Sequence, residues 1–251
     1  MKFVDAHWEK RNFGFKVCEI IFDNNDTIQD FYSLKGIAEF KYIVVKVSKG
    51  NIKLIHELEN EGFRYLENQL SIVLNTNAYT TMDMKWVKRF NDVSYRKIES
   101  EADLDYFINE TKENLFQNDR FSKDPLINKK AADMRISNWV KDIIQQGNSN
   151  IFLLQQGALI PGFFILNREN VNTTFVEMAG VFRKFRNNGY AFPMFYNMLV
   201  ATNQQRIKTL KASMSTNNLD IINTVSRFVT LKIISNQIIL RKFVDRVDDA
   251  Y

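Results

Sequence analysis

The sequence predicts a mixed α/β fold, a sheet covered by helices, and three observations carry that prediction. Short apolar runs rich in Val, Ile and Phe recur along all 251 residues, as sheet strands require. Between them lie segments with apolar residues at the three- and four-residue spacing of amphipathic helices. Glycine follows two of these segments, at Gly62 and Gly147, where a helix would stop. With 45% apolar and 25% charged residues, the chain can bury a substantial core as one large unit or two small ones.

In order along the chain, Phe15 to Phe22 mixes apolar and polar residues in a strand-like run, and Tyr42 to Val47 is a more continuous one. Ile52, Ile55 and Leu58 share a helical face from Ile52 to Glu61; Gly62 ends it, and Phe63 opens a strand through Val73. Asn75 to Tyr95 lacks strong periodicity until Val93, so it is expected to join two units that meet near Lys85: an N-terminal unit over 1–85 and a C-terminal one over 86–251. Leu104 to Leu115 reads as a helix, with Asp103 and Asp105 near its positive end. A polar loop, Gln117 to Asn128, leads to a longer helix from Lys129 to Gln146 that contains Trp139. Ile151 to Gln156, Pro161 to Asn167 and Thr173 to Val181 form an expected antiparallel meander, turning first at Gly157. A helix then runs from Tyr190 to about Asn203, followed by a strand at Thr209 to Met214, a helix at Leu219 to Phe228 and a strand at Leu231 to Lys242.

Two segments echo each other. Lys46 to Leu74 and Ser213 to Leu240 share the order strand, Ser, Asn, helix, strand, with Ser48 matching Ser215 and Asn51 matching Asn218. The echo reads as the remnant of a duplication in which the N-terminal unit repeats only the latter part of the fold.

Charge and composition exclude several roles. The 34 basic residues, a net charge of +5, are interleaved with 29 acidic ones, which argues against a general nucleic-acid role while suiting a polyanionic ligand. Cys18 is the sole cysteine, so no intrachain disulfide forms and a reduced, cytoplasmic setting is expected. The opening MKFVDAHWEKR has no signal-peptide core, and no run of about 18 apolar residues is present to span a membrane. With two histidines, His7 and His56, no metal site is expected.

The chemistry concentrates between Thr174 and Ala191, TFVEMAGVFRKFRNNGYA, where an apolar strand runs into a basic turn and then a helix. Val176, Met178 and Gly180 alternate with Phe175, Glu177 and Ala179, placing Glu177 on one face with small residues beside it. Arg183, Lys184 and Arg186 bring positive charge to the turn. Gly189 lets backbone approach an anion closely, and free amides at the helix start would cradle a pyrophosphate.

The string Arg186-Asn187-Asn188-Gly189-Tyr190-Ala191 resembles the R/Q-x-x-G-x-G/A turn of the GNAT acyltransferases, which grips the pyrophosphate of coenzyme A. Three further features resemble the dTDP-fucosamine (dTDP-4-amino-4,6-dideoxygalactose) acetyltransferase group within that superfamily. Trp8 to Phe15, WEKRNFGF, is similar to its W-x-S-x-F-F-G-F opening. Asn118 to Trp139 is similar to its R-F-x-x-D-P-x-I loop and the helix with a central tryptophan, with Arg120, Phe121, Asp124 and Trp139 in register. The third is the order Ser215, Asn218, helix.

The resemblance implies a C-terminal GNAT domain, a smaller N-terminal domain resembling a partial GNAT repeat, and transfer of an acetyl or other short acyl group from acyl-CoA to the amine of a nucleotide-linked amino sugar. It implies that Val181, Phe182, Arg183, Arg186, Asn187, Asn188, Gly189, Tyr190, Ala191 and Asn218 hold CoA. Trp8, Phe13, Arg120, Phe121 and Asp124 are then expected around the acceptor, Arg120 gripping phosphate and Asp124 accepting sugar hydroxyls. An amine held in line attacks a thioester directly, so the site must take up an ammonium proton, polarise the carbonyl and protonate the thiolate. Glu177 is the candidate proton acceptor. The superfamily's usual tyrosine, seven residues beyond the asparagine matched by Asn218, is replaced by Val225, which leaves Tyr190, Tyr196 or a water as proton donor. Other acceptors, a small amine or a protein N-terminus, and a non-catalytic CoA-binding relative remain as alternatives. Pairing of edge strands between subunits makes a homodimer the expected assembly.

Overall fold

The computed structural model describes residues 1–112, 115–116, 118–147 and 149–244. Among these, the strands are β1 (Lys2–Asp5), β2 (Val17–Ile21), β3 (Tyr42–Ser48), β4 (Arg64–Asn75), β5 (Val93–Lys97), β6 (Ser149–Gln156), β7 (Gly162–Asn170), β8 (Thr173–Val181), β9 (Thr209–Ser215) and β10 (Lys232–Phe243). The helices are α1 (Lys10–Phe13), α2 (Ile28–Tyr32), α3 (Ile52–Asn60), α4 (Met84–Arg89), α5 (Glu101–Glu110), α6 (Arg120–Lys123), α7 (Lys129–Gln146), α8 (Ala191–Gln204) and α9 (Leu219–Phe228). No helix among the described residues is long and apolar enough to cross a membrane.

The mixed α/β expectation holds, with local differences. The segment after Asn75 is not a bare connection: a 3-10 turn at Thr76–Thr81 and α4 are each too short to display a period. The helix expected from Leu104 begins earlier, because the Ser100 hydroxyl accepts from Asp103 N at 3.1 Å and caps α5. Its expected last turn includes residues 113 and 114, outside the described set. The polar loop begins at 117, also outside it, and then forms α6, capped by Asp119.

All ten strands make one sheet in the order β1-β2-β3-β10-β4-β9-β8-β7-β6-β5. Two neighbouring pairs are parallel, β2 with β3 and β8 with β9, and a helix crosses over within each, α2 and α8 respectively. The order gives the sequence echo its physical meaning. β4 follows β3 and α3 but pairs with β9, while β10 follows β9 and α9 but pairs with β3. Each half thus lends its last strand to the other. The relation extends to single atoms: Lys49 N donates to Asn236 O at 3.0 Å, and Thr216 N donates to Asn68 O at 2.9 Å. Ser48 lies opposite Gln237, Ser215 opposite Gln69, and the two glutamines face each other at the centre of the β4–β10 pair. Asn51 caps α3 by accepting from Leu54 N at 3.3 Å, as Asn218 caps α9 by accepting from Ile221 N at 3.4 Å.

Helices cover both faces. On one face, α2 and α3 bury Ile28, Phe31, Leu54 and Leu58 over β2, β3 and β10, while α8 and α9 bury Phe192, Phe195, Leu199 and Val225 over β4 and β6 to β9. On the other, α7 spans both halves, with Ala132 in the cluster around Tyr42 and Ile239, and Ile136, Val140 and Ile143 in the cluster around Phe163 and Ile165. Burying these side chains contributes about 1.5–3 kcal/mol each.

Candidate active site

β8 and β9 are paired only from Thr173–Thr209 to Val176–Ala212. Past that point β8 runs on to Val181 and β9 to Ser215 without pairing to each other, so the sheet opens. A bulge lies where they part. Opposite β7 the register jumps from Leu166–Val176 to Ile165–Met178, so Glu177 is the extra residue of a β-bulge, a device that bends the strand carrying it. The regular alternation expected around Glu177 is therefore broken at that residue.

A cleft of about 1840 Å³ occupies the opening and reaches both faces of the sheet. On the α8 and α9 face its wall is apolar, with Ile72, Leu74, Met194, Met198, Leu210 and Ala212. On the α7 face it is polar and aromatic, with Lys46, Glu67, Gln69, Ser213 and Ser215 from the sheet and Trp8, Arg120, Phe121 and Trp139 from the elements above. The pairing of Gln69 with Ser215 places β4, a strand of the N-terminal half, directly in this wall.

The basic turn stands at one end of the cleft. Val181, Arg186, Asn187, Gly189, Tyr190, Ala191 and Asn218 all line it. Asn187 has φ 63° and Gly189 φ 82°, two left-handed residues that turn main-chain groups toward a concavity before α8. A Cβ on Gly189 would also lie 3.1 Å from Phe90 Cζ, so glycine is required twice over. No side chain caps α8, which leaves its positive end available to an anion. Arg186 donates to the Leu115 carbonyl at 2.7 Å; burial, and then the charge of Arg183, lower its pKa. Lys184 is drawn aside to Glu110 at 2.8 Å. Arg183 and Asn188 are exposed next to the cleft rather than in its wall, and Phe182 is fully buried against Phe163 and Tyr106.

Of the expected catalytic groups, Glu177 lines the cleft at its bulge, and Tyr190 lines it with its hydroxyl donating to Gln156 Oε1. Tyr196 does not reach the cleft. It packs edge-on against Tyr79 at 6.0 Å and stacks on Phe192, because its place on α8 turns it away from β8. Val225 is 1% exposed and lines the apolar wall beside Thr224, so the position of the missing tyrosine does face the cleft.

Of the residues expected around the acceptor, Trp8, Arg120 and Phe121 line the cleft. Phe13 does not; it stacks on Phe121 and Phe15 at 5.3 and 5.7 Å and supports the wall from behind. Asp124 corrects its expected role. Its side chain is fully buried outside the cleft, where it accepts from the Tyr42 hydroxyl at 2.6 Å and from Arg241 Nε at 3.0 Å. Burial and this carboxylate push the Tyr42 phenol well above its ordinary pKa.

A group of charges not legible in the sequence gathers here: Lys46, Glu67 and Arg120 line the cleft, and Glu19 pairs with two of them from outside its lining. Glu19 accepts from Lys46 Nζ at 2.8 Å and from Arg120. Burial opposes its ionisation, but the Arg120 and Lys46 cations overcome this and hold the carboxyl down to about 2. Burial lowers the Lys46 pKa, and the Arg120 charge adds to the effect. Glu67, 3% exposed, is raised by burial against the opposing influence of a hydrogen bond with Ser215 and the Arg120 charge. Its Oε2 has no hydrogen-bond partner, and neither has Arg120 Nε. Among the described residues no group of three or more His, Cys, Asp or Glu side chains could hold a metal ion.

No family model matches the chain, and no curated protein matches it in sequence. Solved structures match it in fold. A conserved protein of unknown function from Staphylococcus epidermidis ATCC 12228 superposes with a TM-score of 0.58 at 12% identity, over 91% of this chain and 84% of that one. A GCN5-related N-acetyltransferase from Kribbella flavida gives 0.53 at 13% identity, over 90% and 81%. A GCN5-related glucosamine N-acetyltransferase region of a fungal multi-domain GH3 β-N-acetylglucosaminidase gives 0.59 at 11% identity, over 81% of this chain and 26% of that one. At such identities the likeness is one of architecture: the chain has the GNAT fold.

Proposed function

We propose that this protein is an N-acyltransferase that moves an acetyl or other short acyl group from acyl-CoA to the amine of a nucleotide-linked amino sugar. The observation that carries the reading is the cleft through the parted strands, which joins a basic, uncapped helix start and an apolar channel to a polar, aromatic chamber on the opposite face.

The residues present fit acyl-CoA. The turn from Arg186 to Ala191 would hold its pyrophosphate at the positive end of α8. The β8 edge past Val176 is not paired with β9, so its main-chain groups would bind an extended, amide-bearing arm in the manner of an added strand. Met194, Met198 and Val225 bound the apolar side, where a short acyl chain would lie. When bound, acyl-CoA supplies the activated thioester. The chain's own part is to orient the two reactants and manage protons. Glu177, at the bulge beside the opening, is placed to take the ammonium proton directly or through water. Tyr190, its hydroxyl oriented by Gln156, is the candidate donor to the departing thiolate.

The acceptor side supports a sugar. Trp8 and Trp139 offer flat faces for the apolar side of a sugar ring, while Gln69, Ser213, Ser215 and the charged groups suit hydroxyls. The net charge of +5 favours an acceptor that carries phosphates. The fungal relative in fold is described as acting on glucosamine. The apolar Val225 at the tyrosine position favours a second reading, a CoA-binding protein without turnover.

The test is thiol release from acetyl-CoA across dTDP- and UDP-linked 3-amino and 4-amino sugars, with CoA binding measured in parallel. Turnover with one sugar is the expected result and names the acceptor. CoA binding with silence across the panel, longer acyl donors included, would favour the second reading or an acceptor of another class.

A further inference from the structure

We infer that Glu67 and Arg120 form the seat for the reacting end of the acceptor: Glu67 Oε2 receives the ammonium and takes its proton, and Arg120 Nε–H holds a hydroxyl on the neighbouring carbon. This rests on the acyltransferase reading and deepens it, because it specifies a 1,2-amino alcohol, the grouping an amino sugar presents, and moves the base from Glu177 to Glu67.

Two buried polar atoms without partners in one cleft wall carry the inference. The large majority of buried side-chain polar atoms in proteins are paired, so an unmade hydrogen bond on a residue of a cleft wall points to a bound group that would complete it. Glu67 Oε2 is such an atom, on a residue that is 3% exposed and belongs to the cleft wall. Its other interactions position it: Ser215 hydrogen-bonds its carboxyl across the β4–β9 pair. Arg120 Nε is the second atom. The terminal nitrogen of that guanidinium is committed to Glu19, which also binds Lys46, and its plane rests 5.0 Å from the Phe121 ring centroid. The Nε–H is a further donor of this arginine, buried and without a partner, and the Arg120 and Glu67 charges influence each other. An unpartnered acceptor and an unpartnered donor in one wall suit a ligand that carries a donor and an acceptor on neighbouring atoms. An ammonium next to a hydroxyl is that ligand.

The environment also suits the chemistry. Burial weakens the hydration of the Glu67 carboxylate and raises its pKa, which makes it a better base than an exposed glutamate and attracts an ammonium in place of water. In the step itself an N–H bond of the ammonium breaks, its electron pair stays on nitrogen, and the proton forms an O–H bond at Glu67 Oε2. The neutral amine then attacks the thioester carbonyl to form the C–N bond, the C–S bond breaks, the proton that the new amide nitrogen sheds passes to the thiolate, directly or through a relay, and Glu67 returns its proton to solvent. Glu67 comes from the N-terminal half, so the strand exchange brings the base to a cleft whose basic turn and α8 belong to the C-terminal half.

The test uses the full chain loaded with CoA. Calorimetry with glucosamine and with dTDP-4-amino-4,6-dideoxygalactose is run on the wild type, Glu67→Gln, Glu177→Gln and Arg120→Lys, with melting curves to establish that each is folded. At least one amine is expected to bind the wild type, more weakly as pH falls and Glu67 protonates. Its affinity should drop tenfold or more in Glu67→Gln and in Arg120→Lys, while CoA affinity holds. With acetyl-CoA and that amine, Glu67→Gln should lose about 100-fold or more in kcat together with the acid limb of the kcat/KM profile. If neither amine binds the wild type, or if Glu67→Gln binds and turns over with an intact acid limb while Glu177→Gln does not, the assignment is overturned. Unchanged affinity in Arg120→Lys overturns the hydroxyl half of it. Failure of the wild type to bind acetyl-CoA sinks the acyltransferase reading itself.

Discussion

Glu19 and Glu67 share one face of the sheet, with Lys46 and Arg120 near both, yet the fold treats their protons oppositely. The Glu19 carboxyl, held near 2, sits below its unfolded value, so it stabilises the folded chain above the unfolded pKa and loses that contribution as pH falls from about 4.5 toward 2. The Glu67 carboxyl is raised, so its contribution is complete below the unfolded pKa and is lost as pH rises through the folded one. Urea unfolding from pH 2 to 8 should separate them. Glu67→Gln is expected to gain about 1 kcal/mol or more over the wild type at pH 8 and nothing at pH 4, since it replaces a buried carboxylate, whose charged form burial disfavours, with a neutral amide. Asp124 gives a second expectation at this scale. Asp124→Ala removes the buried carboxylate that pairs with Arg241 and accepts from the Tyr42 hydroxyl, and should cost about 3–5 kcal/mol by urea unfolding, with acetyl-CoA affinity unchanged in the fraction that folds. Neither role was legible in the sequence. A loop aspartate reads as solvated, and Asp124's partners lie 82 and 117 residues away. The run Glu67-Asn68-Gln69 reads as a solvent-facing strand, and two register shifts against β10 spoil the alternation that would have assigned its faces.

Elements with several turns were legible to the residue, as Lys129–Gln146 and Leu219–Phe228 illustrate, because their own side chains specify their geometry. β1, α2 and α4 were not, being too short for a period to emerge. The basic turn was legible because its requirement is local: a glycine before an uncapped helix. Gly189→Ala would force a left-handed alanine at about 1–2 kcal/mol and press its methyl on Phe90, so acetyl-CoA affinity by calorimetry should fall roughly tenfold. The duplicated caps offer an internal control. Asn51→Ala and Asn218→Ala each remove a side-chain cap and should each cost about 0.5–2 kcal/mol by urea unfolding. Asn218 lines the cleft and Asn51 does not, so Asn218→Ala alone should also weaken CoA binding. Equal CoA affinity in the two variants would remove Asn218 from the CoA site.

For the whole molecule, the decisive feature is the order of the inner strands, which no local pattern specifies. β4 and β10 lie side by side at the centre of the sheet, and each is hydrogen-bonded on its far side to the other half. The division near Lys85 proposed from the sequence would therefore separate β4 from β9 and β10 from β3, exposing unpaired edges in both pieces. Fragments 1–85 and 86–251 are expected to show no cooperative unfolding when made singly, and to recover one transition together with CoA binding when refolded as a mixture. A cooperative transition in 1–85 alone would mean that α2 and α3 over β2 and β3 suffice as a unit, and that the exchange was added to a domain already stable. The same geometry ties stability to function. Glu67 and Gln69 can enter the cleft wall only if β4 is seated against β9, so any change that loosens the exchange should lower acceptor affinity before it lowers CoA affinity, whose turn and helix lie entirely within the C-terminal half.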